Sequence, residues 1–272
     1  MGRLVAYTAN RRDGLAAALR FERHALRPPP AQGEAAWGIA FYQGDEVLHK
    51  KRPLPAGSAP AWSELGEGVT TDCALMHLRE PTVGDFRTEN THPFRYRRWT
   101  FAHQGTLAGF AALREQLLGD LPDFLRRNVQ GETDSEVFFH HVLGELHRRG
   151  ALEAQAPSPD VLISALAQSK STLASLARAQ SDVPSGLTCV LTDGRLTLGL
   201  CHGAPLYYVE RRGPLPADEP APRPSSPQHA AVLRYVMITT AEAPPMNYQG
   251  VPQGQILVVD RDLRVHVSPT DA

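Results

Sequence analysis

Short segments of alternating apolar residues stand near both ends of the chain, and a long block of helical periodicity separates them. That order constrains the fold more than any other feature. Strands first, helices second and strands last exclude a regularly alternating βαβ chain. They point instead to α+β layers built on antiparallel sheets.

Residues 3–8 read as a strand, and Asp13 is placed to cap a helix whose Leu15, Leu19 and Leu26 recur at helical spacing. In AAWGIAFYQGDEVLHKKR, Trp37, Ile39 and Phe41 alternate up to a Gly44-Asp45 turn, which predicts a hairpin. CALMHLR and WTFAHQG read as further strands, joined by the long polar connection EPTVGDFRTENTHPFRYRR. Helices are predicted over 107–127, 134–149 and 159–178, the second opening on the N-terminal signal Thr133-Asp134-Ser135-Glu136. LTCVLTDGRLTLGLCH holds an Asp-Gly turn between two alternating runs, LYYVERR and VMITTAEA add strands, and QILVVDRDLRVHV ends the pattern as a hairpin. The Pro-rich stretch at 214–229 reads as a surface loop inside one domain spanning 1–272.

Composition narrows the function class. At 42% apolar and 21% charged, the 272 residues have the balance of a soluble globular protein. A net charge of −1 leaves no electrostatic footprint for nucleic acid or an anionic membrane. No run approaches the ~18–20 apolar residues of a membrane span. Cys73, Cys189 and Cys201 are too few and too scattered for a disulfide framework or a zinc site, so no metal is expected and the cytoplasm is the default location. Arginine greatly outnumbers the three lysines, Lys50, Lys51 and Lys170, which points to a GC-rich bacterial genome rather than a basic face.

His140, His141 and His147 lack a completing carboxylate and read as helix-surface histidines. Cys201 and His202 are neighbours in a strand and face opposite ways, so a buried structural cysteine is the better reading. Arg79, just past a strand end, has the fork geometry to clamp a carboxylate, against the alternative of a surface ion pair. Gly105 in the His-Gln-Gly turn offers a backbone N–H open to close approach. Asp134 suits an ammonium group or a simple helix cap.

Taken in order, HLREPTVGDFRTENTHPF, WTFAHQG, GETDSE and LTDG resemble the class II glutamine amidotransferases, a branch of the N-terminal-nucleophile hydrolases. The likeness is nearest to the bacterial stand-alone type, a group that also includes a γ-glutamyl amidohydrolase. The resemblance implies a four-layer αββα sandwich of two antiparallel sheets between helical layers, with no cofactor. It also implies cleavage of a glutamine side-chain amide by a cysteine at residue 2, through a thioester. Arg79 would hold the α-carboxylate of a glutamyl ligand and Asp134 its ammonium, while Thr82, Val83 and His92 line or brace the pocket. Gln104 and Gly105 fall at the oxyanion position.

Departures from the pattern lie at its chemical centre. Residue 2 is Gly2, which has no side chain with which to attack. Gln104 stands where the family has asparagine, Ala35-Ala36 precede Trp37-Gly38 where it has Asp-Gly, and Ala241-Glu242-Ala243 replace Ser-Glu-Pro. The leading expectation is therefore a glutamine amidotransferase-like protein without glutaminase chemistry that still binds glutamine or a γ-glutamyl compound. Two alternatives stand beside it: an active amidotransferase or amidohydrolase whose natural residue 2 is cysteine, and a scaffold or regulatory subunit with a vestigial pocket. An active transferase would need a separate ammonia-accepting partner protein.

Overall fold

The structure, a computed structural model, describes residues 2–28, 33–55, 57–58, 62–80, 83, 85, 87–213 and 232–270. In chain order the first half gives β1 (Arg3–Ala9), α1 (Leu15–Phe21), β2 (Ala35–Gln43), β3 (Glu46–Leu54), α2 (Trp62–Leu65), β4 (Cys73–Arg79), β5 (Phe94–Tyr96) and β6 (Trp99–Gln104). Four helices follow: α3 (Phe110–Gly119), α4 (Asp123–Arg126), α5 (Asp134–Arg148) and α6 (Pro159–Gln180). The remaining strands are β7 (Thr188–Thr192), β8 (Thr197–Leu200), β9 (Leu206–Arg212), β10 (Arg234–Thr240), β11 (Gln249–Val251), β12 (Gln255–Val259) and β13 (Val265–Pro269).

A seven-stranded sheet runs β11-β9-β10-β1-β4-β2-β3, and a six-stranded sheet runs β13-β12-β8-β7-β6-β5. Neighbouring strands pair antiparallel in both. Alternation sorts the side chains into three main cores. Leu4, Ala6, Leu75, Ala102, Val190 and Leu257 pack between the sheets. Val5, Tyr7, Ile39 and Met76 pack outward against Leu15 and Leu19 of α1. Phe101, Leu191 and Ile256 pack on the opposite outer face against Phe138, Leu143 and Leu166 of α5 and α6. The layers are thus helix, sheet, sheet, helix, as the resemblance implies. No helix among the described residues is long and apolar enough to cross a membrane.

Several local expectations are corrected. The single helix predicted over 107–127 is two, α3 and α4, because Pro122 has no N–H to continue the ladder and instead begins the second helix. Asp13 does not cap α1; Gly14 occupies that position, and the Asp13 carboxylate is held by the Arg11 guanidinium at 2.6 and 2.7 Å. Leu26 is buried but lies beyond the end of α1. The three-residue strands β5 and β11 are too short to show a period in the sequence. His140 and His141 are buried rather than exposed. They do leave different sides of α5, yet α5 is covered on nearly every side, and each ring bonds a carbonyl, of Glu136 and Leu117 respectively, at 2.9 Å. Cys201 is buried, as read from its strand position. The Pro-rich stretch at 214–229 lies outside the described residues.

Candidate glutamyl-binding site

Antiparallel pairing brings the beginning of β1, the end of β4 and the end of β6 to one edge of the two sheets. Arg3 pairs with Leu78, so Gly2 sits beside Leu78 and Arg79. Arg79 is two residues from His77 and four from Leu75, and therefore points with them toward the second sheet. Gln104 shares the inward face of β6 with Ala102, while His103 turns the other way toward α5.

At residue 2 the backbone itself closes the space. A Cβ there would overlap the carbonyl oxygen of Leu78 and stand 3.1 Å from Gln104 Oε1. That Oε1 is buried without a hydrogen-bond partner. An oxyanion needs a donor at this point, which the Gln104 amide offers only with its NH2 end turned toward residue 2. Gly105 follows in a tight approach: a Cβ on it would overlap the Gly186 carbonyl, so only glycine fits.

Arg79 is buried, with 4% of its surface exposed, so the surface-ion-pair alternative falls. Its Nη2 donates to the Val83 carbonyl at 2.8 Å and its Nη1 to that of Asp85 at 3.4 Å, tying down the start of the long connection. Burial lowers the guanidinium's pKa, and the nearby Asp134 carboxylate opposes that shift. Val83 is half-buried beside the helical core, whereas Thr82 lies outside the described residues.

Asp134 is buried at the first position of α5, and Thr133 rather than Asp134 is the cap, its hydroxyl accepting from Glu136 N at 3.2 Å. The Asp134 carboxylate takes the Leu107 N–H at 2.7 Å and the Ser135 N–H at 2.8 Å, which binds the chain after β6 to the helix start. Asn90 and Glu136 complete the frame. Asn90 joins the Asp85 carbonyl to Glu132 N, and Glu136 accepts from Gln130 N and Gly131 N.

His92 is buried nearby. Its ring lies 4.3 Å from that of His77 and 4.7 Å from that of Phe94, and its carbonyl rests against Gly38, where a Cβ would overlap it. Two residues of this neighbourhood went unread in the sequence. His77 was within reach, since strand alternation puts it on the same face as Arg79. His103 meets Ser135 Oγ and the Gly186 carbonyl, both at 2.8 Å, through a contact that only the folded chain creates. A carbonyl can only accept, so Nε2 carries the proton toward Gly186, while the Ser135 hydroxyl stands between Nδ1 and Asp134 Oδ1, to which it donates at 3.3 Å.

Burial lowers the pKa of all three imidazoles and is the main cause in each; it drives His77 down to about 3, and proximity to His103 and Arg79 adds to that shift. Neither ring nitrogen of His77 or His92 reaches a partner in hydrogen-bonding geometry. A depressed folded-state pKa means the unfolded chain binds the proton first. Stability is then full above the unfolded value of about 6.5 and falls as pH drops toward about 3 for His77. Each such histidine contributes a slope of up to about 1.4 kcal/mol per pH unit within that window. Urea midpoints measured from pH 7 to pH 5 should fall, and His77→Gln should flatten part of the slope. A wild-type midpoint that stays level across that range would refute the buried neutral state.

The profile of the class II glutamine amidotransferases matches residues 1–219. The chain belongs to that family. It is 32% identical over 183 residues to the putative glutamine amidotransferase YafJ of Escherichia coli, covering 65% of this chain and 64% of that one. The probable glutamine amidotransferase DUG3 of Saccharomyces cerevisiae is 33% identical over 130 residues, covering 46% of this chain and 36% of the yeast protein. This amidotransferase-family chain therefore matches between about a third and two thirds of the length of those relatives. In fold it is similar to a glutamine aminotransferase class-II domain protein from Silicibacter pomeroyi, with a TM-score of 0.64 at 20% identity over 99% of this chain and 100% of the other.

Proposed function

We propose that this class II glutamine amidotransferase family member binds the glutamyl group of glutamine or a γ-glutamyl compound and does not hydrolyse it. The observation that carries the reading is the closure of the backbone around Gly2, where any Cβ would overlap the Leu78 carbonyl. A backbone carbonyl in a paired strand cannot swing aside as a long side chain can. A simple exchange of cysteine for glycine in an otherwise catalytic frame would leave room for the missing side chain. This edge has none, which weighs against a natural cysteine at residue 2.

Magnitudes point the same way. Loss of a covalent nucleophile costs on the order of 10⁶ in turnover. Loss of one oxyanion donor costs roughly 10²–10³ more. The binding groups are differently placed: a buried guanidinium at Arg79 and a buried carboxylate at Asp134 present opposite charges to a ligand that carries both. Calorimetry with glutamine on the unmodified protein is expected to give a saturable heat at millimolar ligand, with no ammonia released in the same samples. No heat would remove the binding half of the reading, and ammonia release would remove the other half.

A further inference from the structure

Lys51 is one of only three lysines in the chain, with Lys50 and Lys170. It lies on β3, the outer strand of the seven-stranded sheet, where it pairs with Gly38. Gly38 has no side chain to hold it off, and the Lys51 ammonium reaches across to stand 5.6 Å from the centre of the Phe94 ring. The side chain is half-buried rather than sealed from solvent.

Its polar contacts are weak. Nζ donates to the Thr88 carbonyl at 3.4 Å, a long bond to an oxygen that already takes the Thr91 N–H at 3.1 Å. No carboxylate among the described residues closes an ion pair with it, and Glu136 and Glu89 act on it from farther off. Burial dominates, lowering the Lys51 pKa to about 8 against the pull of those two carboxylates. The free amine, not the ammonium, is the nucleophile. At about pH 7.5 an ordinary lysine is about 0.1% free amine, whereas one near 8 is roughly a quarter free amine. Lys50, Arg52 and Arg95 are exposed around it, and Arg95 shares its neighbourhood, since both face His49. Such a rim draws in a small dianion.

We propose that Lys51 is an acyl-acceptor site, modified by small acyl phosphates. The neutral Nζ attacks the acyl carbon and a C–N bond forms. The bond from that carbon to the phosphate oxygen breaks, phosphate leaves with the electron pair, and the surplus proton on nitrogen passes to solvent. The resulting amide keeps one N–H but no charge, so the tie from β3 to the turn at 87–91, which carries Asn90, loses its cation.

The test incubates the native chain with acetyl phosphate and follows acetylation of each lysine by peptide mass spectrometry. Near neutral pH, Lys51 is expected to react at least about tenfold faster than its exposed neighbour Lys50. It should exceed by a similar factor Lys170, whose Nζ donates to Thr270 Oγ1 at 3.0 Å. The preference should vanish in concentrated urea, and the Lys51 rate should level off above about pH 8 while that of Lys50 keeps rising. Equal reaction of the three lysines in the native chain overturns the inference. So does a preference that persists in urea, or a Lys51 rate that climbs in parallel with that of Lys50 to about pH 10.

Discussion

Gly2→Cys is expected to release no ammonia from glutamine above the uncatalysed background. The substitution supplies a thiol, and on chemistry alone it would return the largest missing factor, on the order of 10⁶. Two obstacles remain in the structure. The new Cβ overlaps the Leu78 carbonyl, so the start of β1 must move before the sulfur can face a substrate. Misplacement of about 1 Å is itself worth roughly 10²-fold in such reactions. The second obstacle is Gln104, whose unpartnered Oε1 faces residue 2 and whose side chain is one methylene longer than asparagine. An ammonia assay at neutral pH decides the matter, with thermal unfolding as the control for folding. Rates within a hundredfold of an ordinary glutaminase would mean that the frame is competent and that only the sulfur is missing. The double variant Gly2→Cys/Gln104→Asn then ranks the obstacles: recovery in it alone identifies the amide, and continued silence identifies the backbone.

Arg79 carries the second large effect. Arg79→Ala should abolish detectable glutamine binding under the proposed reading, in which this buried guanidinium takes the α-carboxylate. Truncating one partner of a buried charge pair costs about 2–5 kcal/mol, or some 30- to 5,000-fold in affinity. The alanine variant also strips hydrogen bonds from the Val83 and Asp85 carbonyls, so some loss of stability accompanies it. Arg79→Lys separates the two consequences. It retains a cation of similar length but not the planar fork, and affinity should fall about tenfold or more while the fold persists. An unchanged dissociation constant in a folded Arg79→Lys protein would show that the carboxylate is held elsewhere.

How much of this was legible beforehand differs from residue to residue. The layered architecture was, because period-two runs such as RLVAYTA and CALMHLR sort their side chains between two cores without help from the rest of the chain. The break at Pro122 was written in the sequence as well, since proline removes the N–H that a continuous helix needs. Burial of His140 and His141 was not. A helix covered by a sheet and three other helices has no polar face to betray its neighbours, and polar residues in it are satisfied locally through carbonyls. The departures at Gly2 and Gln104 were readable as residue types, but not the approach of the Leu78 carbonyl, which depends on strand register.

Arg79 and Asp134 each hold the protein's own backbone, besides the ligand roles proposed for them: one fastens the Val83 and Asp85 carbonyls, the other the Leu107 and Ser135 amides. Such double duty uncouples the cavity's shape from turnover. Were the reaction lost at residue 2, both ions would still be required to keep the connection after β4 and the entry to α5 in place. Under the proposed reading, a receptor for the former substrate is what such a frame would leave behind once its nucleophile was gone.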